Sequence, residues 1–190
     1  MPQNNILPPE GTKKPDADTF GRALGPGIGL NLLVSDVEAA ARFQAQVLDA
    51  VVAYWDRDFA ILRAPETAGG AVWMLHSDRS YRNHPLSGIA EAAEGRGAGA
   101  ELRLYGRDPD QAEAVARAIG GVVLAVAADK PHGVREAYIL DPEGYCWVPT
   151  MAKVGQDAED SPHFRLSLPI WTSESPLGNP GVNRGEPLAP

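Results

Sequence analysis

A single cysteine, Cys146, stands in the whole sequence, so an intrachain disulfide is excluded and the cytosol is the expected compartment. Long apolar runs are also missing. The longest, such as VVLAVAA at residues 122–128, fall far short of the roughly 20 residues a bilayer-spanning helix needs, so no membrane partner is expected. The first residues, MPQNNILPPEGTKKPDAD, lack the continuous apolar stretch of a secretory signal. Positive charge is scarce: 17 Lys and Arg face 25 Asp and Glu, for a net charge of −8, and the basic residues form no long stripe. Nucleic acid is therefore not an expected partner. What is present is ordinary globular material, 44% hydrophobic and 22% charged over 190 residues, enough for one domain or two half-domains around a core.

Proline is concentrated at the two ends. Residues 1–26 hold five prolines and residues 149–190 hold seven, and proline removes a backbone donor and fixes φ. Residues 1–26 and 151–190 therefore read as arms around a folded middle. The apolar Phe164, Leu166, Leu168, Ile170 and Trp171 could anchor the C-terminal arm to the body or to a neighbour.

The middle says one thing twice. In residues 27–76, a strand (GIGLNLLV) leads into a helix with a capping box expected from Ser35 and Glu38. Val37, Ala40, Ala41, Val47 and Leu48 recur at helical spacing, and strands VVAYW, FAILRA and AVWMLH follow. In residues 99–150, the strand AELRLY precedes a helix with Asp108 as N-cap, Pro109 at its first position and Gln111 completing a box. Gly120 and Gly121 end that helix, and strands VVLAVA, REAYIL and YCWVP follow. Asp36 matches Asp108 and Gly70 matches Gly144 at nearly equal offsets, which superposes Trp73 on Trp147. The fold class is α+β: two tandem βαβββ modules forming a cupped mixed sheet with outer helices. Residues 77–98 are the connector, a candidate lid.

A doubled βαβββ unit with VSD opening one helix and DPEGY before the last strand resembles the vicinal oxygen chelate superfamily, which includes glyoxalases, extradiol dioxygenases and bleomycin-resistance proteins. The resemblance covers about residues 27–150 and leaves out both arms. It implies a cup into which metal ligands point from four strand positions. One pair lies seven residues ahead of each capping aspartate, at Gly29 and Glu101; the other lies four after each turn glycine, at Met74 and Val148. Only Glu101 is a hard donor, so no metal is expected at the usual positions and no cofactor is assigned, although a divalent ion could return at a site rebuilt from His76, His84, Glu101 and His132.

Side chains two apart share a face of a strand, which puts Asn31, Met74 and His76, and Glu101, Arg103 and Tyr105, inside one cup. His76 is a candidate general base or ligand, or else a surface histidine at a strand end. Glu101 is a candidate proton shuttle, or else the ion-pair partner of Arg103. Arg103 could clamp a substrate carboxylate or phosphate. Lys130, His132 and Arg135, in the loop DKPHGVRE, could attract an anion or simply face solvent. With Tyr105 and Asn31 these complete the candidate substrate contacts. Cys146 reads as a small apolar filler.

Two functions follow. One is a glyoxalase-like enzyme of unresolved lyase, isomerase or oxygenase class, acting on a small polar or anionic organic substrate with Glu101 and His76 as acid–base pair. The other is a metal-free, non-catalytic binder of the bleomycin-resistance type. A homodimer is expected for either, because half-units of this architecture pair between chains as well as within one.

Overall fold

Several strands of this chain bury three or four consecutive side chains, and the structure shows what they are buried against. It is a computed structural model and describes residues 6–11, 13–24, 28–65, 71–81, 85–86, 88–89, 93 and 95–153. A short helix, α1 (Ala17–Ala23), precedes the first module: β1 (Leu30–Val34), α2 (Val37–Leu48), β2 (Val51–Trp55), β3 (Phe59–Arg63) and β4 (Val72–Ser77). A 3-10 turn follows at Asp78–Tyr81. The second module is β5 (Glu101–Tyr105), α3 (Pro109–Ala118), β6 (Val122–Asp129), β7 (Val134–Leu140) and β8 (Cys146–Ala152). Each module makes one four-stranded mixed sheet, ordered β1-β4-β3-β2 and β5-β8-β7-β6. In each sheet the first and last strands pair in parallel and the other pairs are antiparallel.

The helix starts hold one surprise. Asp36, not Ser35, caps α2, accepting from the Ala39 N–H at 3.0 Å, while Glu38 pairs with Arg42 one turn along. The expected Ser35–Glu38 box is thus replaced. Ser35 instead uses its backbone N–H and hydroxyl on Glu143, both at 2.8 Å, and Asp36 N–H adds a third bond at 3.2 Å. Asp108 caps α3 as its sequence predicts, accepting from Asp110 and Gln111 N–H, but the Gln111 side chain accepts from Arg107 rather than closing a box. Gly120, at φ 77°, ends α3 in the left-handed conformation that glycine adopts without steric cost.

Both modules bury their helix-bearing faces in one common core. Leu32, Val34, Trp73 and Leu75 from the first sheet join Leu104, Ile139 and Trp147 from the second, with Val37, Val47 and Leu48 of α2 and Ala112 and Ala116 of α3. The rings of Trp73 and Trp147 lie 5.4 Å apart across the seam. Their indole N–H groups cannot go unpaired at 3% exposure, and a small polar network takes them up. Trp73 donates to the Gln44 side-chain oxygen (2.8 Å) and Trp147 to Asp141 (3.1 Å), while the Gln44 amide reaches Asp141 at 3.4 Å. Burial pushes the Asp141 carboxyl up, against the lowering pull of its bonds from Tyr145 N–H, Trp147 and Glu143 N–H.

The N-terminal arm is held against the first module. Leu7 enters the core, the Trp55 indole donates to the Pro8 carbonyl at 2.6 Å, and Gly11 N–H donates to the Trp55 carbonyl at 3.0 Å. Lys14 then pairs with Asp56 at 3.0 Å and lies 5.9 Å from the rings of Tyr54 and Phe59. The C-terminal arm from residue 154 onward lies outside the described residues, including its anchors Phe164 to Trp171.

Candidate functional site

The concave face of the second sheet carries the polar groups. Glu101, Arg103 and Tyr105 alternate along β5 and stand beside Cys146, Val148 and Thr150 of β8; Glu136 of β7 pairs in turn with Thr150. Arg103 is the centre of the group. Its Nε and Nη2 donate to Glu101 Oε2 at 3.1 and 2.8 Å, and its Nη1 donates to Glu136 Oε2 at 2.6 Å. Nη2 also donates to the Tyr138 hydroxyl at 3.1 Å, and that hydroxyl donates onward to Glu136 Oε1 at 3.0 Å. Lys130 Nζ sits 3.8 Å from Glu136 Oε1 and 5.4 Å from the centre of the Tyr138 ring.

Glu136 is only 2% exposed, and a carboxylate so placed is tolerated because it is bonded on both oxygens. Burial pushes its pKa up, yet the bonds from Arg103 and Tyr138 and the charges of Arg103 and Lys130 leave it lowered. Arg103 is correspondingly raised, chiefly by Glu136 and, after the opposing effect of burial, by Glu101. Tyr138 is raised by burial and by the neighbouring Glu136. Burial likewise raises the Cys146 thiol, with Glu101 adding to it, which suits a filler rather than a nucleophile.

The concave face of the first sheet is mostly apolar. Asn31 of β1 is in register with Met74 of β4, Met74 with Ile61 of β3, and His76 with Phe59, whose ring lies 4.6 Å from the imidazole. Leu33 and Ile61 are each 5% exposed. In this setting the Asn31 side-chain oxygen is buried without a hydrogen-bond partner. A buried acceptor left so costs about 1–3 kcal/mol, so it marks a place where a donor belongs.

Because both sheets turn their helix-bearing sides to the shared core, these two concave faces look away from each other. Each module has its own four-stranded sheet, with such a face on the side away from the shared core. Glu101 is held by Arg103 at 2.8 Å in the second sheet, and His76 lies in the first sheet beside the Phe59 ring. Arg103 has its fork spent on Glu101, Glu136 and Tyr138 and is not open to clamp a substrate acid. Lys130 does join the second face, but Arg135 points to the helix side, bonding Asp110 at 2.6 Å and Asp129 at 3.0 Å. His132 is exposed in the β6–β7 turn, Tyr105 is 61% exposed at the strand end, and His84 lies outside the described residues.

The metal that this fold implies meets a poor donor set. Of the four expected positions, Gly29 has no side chain, Met74 is a thioether, Val148 is a fully buried hydrocarbon and Glu101 is engaged by Arg103. Among the described residues, no three His, Cys, Asp or Glu side chains gather as an ion would require. Sequence reasoning missed Glu136 and Tyr138. Their signal was available: in REAYIL they alternate, and once β7 is set beside β8 they face the same way as Arg103.

No family model and no curated protein matches this chain. Solved structures do. A glyoxalase/bleomycin resistance protein/dioxygenase from Nocardioides superposes with a TM-score of 0.52 at 24% identity, covering 73% of this chain and 91% of that one. A glyoxalase-related enzyme from Fulvimarina pelagi gives 0.52 at 21% identity over 70% and 95%. A glyoxalase/bleomycin resistance protein/dioxygenase family enzyme from Burkholderia phytofirmans gives 0.52 at 20% over 65% and 95%. The chain has the vicinal oxygen chelate fold. At these identities the likeness speaks for architecture alone, and one fold of this kind serves several chemistries.

Proposed function

We propose that the chain is a metal-independent binder of small organic molecules, acting as a homodimer in which the first concave face of one copy closes against the second concave face of another. The observation that carries this is the Asn31 oxygen, a buried acceptor without a donor, set among Leu33, Ile61 and Met74 on a concave face. That combination, mostly apolar walls with a buried acceptor to orient the bound molecule, is what a ligand pocket needs. The exposed Tyr105, Leu124 and Val126 of the second module offer the apolar surface that a facing copy or a ligand would cover. The ligand is then an amphipathic molecule with at least one hydrogen-bond donor.

A second reading, an enzyme using His76 and Glu101 as acid and base, draws support from Glu101, whose side chain is 47% exposed on its concave face. In the dimer, His76 of one copy and Glu101 of the other would line one cup. Calorimetry against a panel of apolar amines, alcohols and amides separates the two: saturable binding without product, lost in Asn31→Leu, supports the binder. Product formation abolished by Glu101→Gln would replace it with the enzyme. Sedimentation of the same samples checks the dimer, which a monomer at binding-competent concentration would refute.

A further inference from the structure

The second concave face has its hard oxygen donors clustered around a cation that is already there. Glu101 Oε2 takes two bonds from Arg103, Glu136 Oε2 takes a third, and the Tyr138 oxygen takes a fourth, all within 3.1 Å. With Lys130 beside Glu136, two carboxylates meet two cations and the group is neutral without an ion. We propose that the Arg103 guanidinium occupies the place of a divalent cation in this face: a tethered positive charge that binds Glu101, Glu136 and Tyr138 to one another and closes the site to metals.

Three physical points support this. An ion approaching Glu101 would meet the guanidinium at hydrogen-bond distance and be repelled. Four of the five N–H donors of Arg103 are already used in fixed directions, so swinging it aside takes from the 2%-exposed Glu136 its shortest bond, at 2.6 Å. Finally, two of the three oxygens that Arg103 holds belong to carboxylates, the donors that a hard ion such as Mg²⁺, Ca²⁺ or Mn²⁺ takes together with water. Remove the guanidinium and that carboxylate pair is left open to an ion. The inference concerns this face alone and stands whether the cup binds its ligand or transforms it.

The test is Mn²⁺ binding followed by electron paramagnetic resonance on the full chain. Wild type is expected to leave added Mn²⁺ free, Arg103→Met to take up one Mn²⁺ per chain, and Arg103→Met/Glu101→Gln to lose it again. Arg103→Lys, which keeps the charge, is expected to stay empty. Because Arg103→Met uncovers a buried carboxylate, its melting temperature is read as well, with Mn²⁺ expected to raise it by several degrees and to leave wild type unmoved. One Mn²⁺ per wild-type chain that Glu101→Gln removes would overturn the proposal. So would an Arg103→Met protein whose resonance and melting temperature both ignore Mn²⁺.

Discussion

Glu143 of the second module grips the start of a helix in the first: its carboxylate accepts from Ser35 N–H and hydroxyl at 2.8 Å and from Asp36 N–H at 3.2 Å, across more than a hundred residues of sequence. Arg96 holds the same carboxylate at 3.1 Å and Asp78 through two bonds of 2.7 Å, so the connector between the modules is fastened there too. Glu143→Ala leaves several donors unmatched at this seam and should cost about 2–3 kcal/mol. Urea unfolding checks it. A loss under half of 1 kcal/mol would show the contact to be incidental.

Asn31→Leu is expected to separate stability from function. Leucine is close to asparagine in size, and removing an unpaired buried oxygen should stabilise the fold by about 1 kcal/mol while weakening ligand binding. Thermal melts and calorimetry of the same preparation test the pair of effects. A destabilised variant would mean that the oxygen has a partner in solution.

Glu136 gives the fold a defined response to acid. Its pKa in the folded chain lies below the ordinary 4.5, so its ionised form stabilises the fold above that value, and the contribution is lost as pH falls through the lower folded value. Glu136→Gln, which mimics the protonated acid, should cost about 1–3 kcal/mol at pH 7. The gap from wild type should narrow steadily below pH 4.5. Denaturant curves between neutral and acid pH measure it, and a constant gap would refute the assignment.

The tryptophan pair should show coupling. Trp147→Phe loses the bond to Asp141 and Trp73→Phe the bond to Gln44, and each should cost about 1–2 kcal/mol. Since Gln44 and Asp141 also meet each other and the rings touch, the double variant should fall short of additivity by about 0.5–1.5 kcal/mol. Strict additivity would mean that the two halves of the network act independently.

Much of this architecture was legible because it is written locally. Alternation in GLNLLV and ELRLY fixed which side chains share a face, and Asp108 with Pro109 marked a helix start that local bonds alone decide. What escaped was set by distant parts of the chain. Ser35 beside Glu38 looks like a capping box, and nothing nearby reveals that Glu143 will displace it. Parity along β5 put Glu101 and Arg103 on one face of the sheet, where their side chains meet, but parity describes one sheet at a time. Whether two sheets face each other or turn their backs depends on Trp73 meeting Trp147, a contact that no spacing in either module encodes.

That back-to-back arrangement bears on how such a chain can be cut or built. Severed in the connector, each half would present a raw slab with a tryptophan at its middle, and would precipitate or seek a substitute slab.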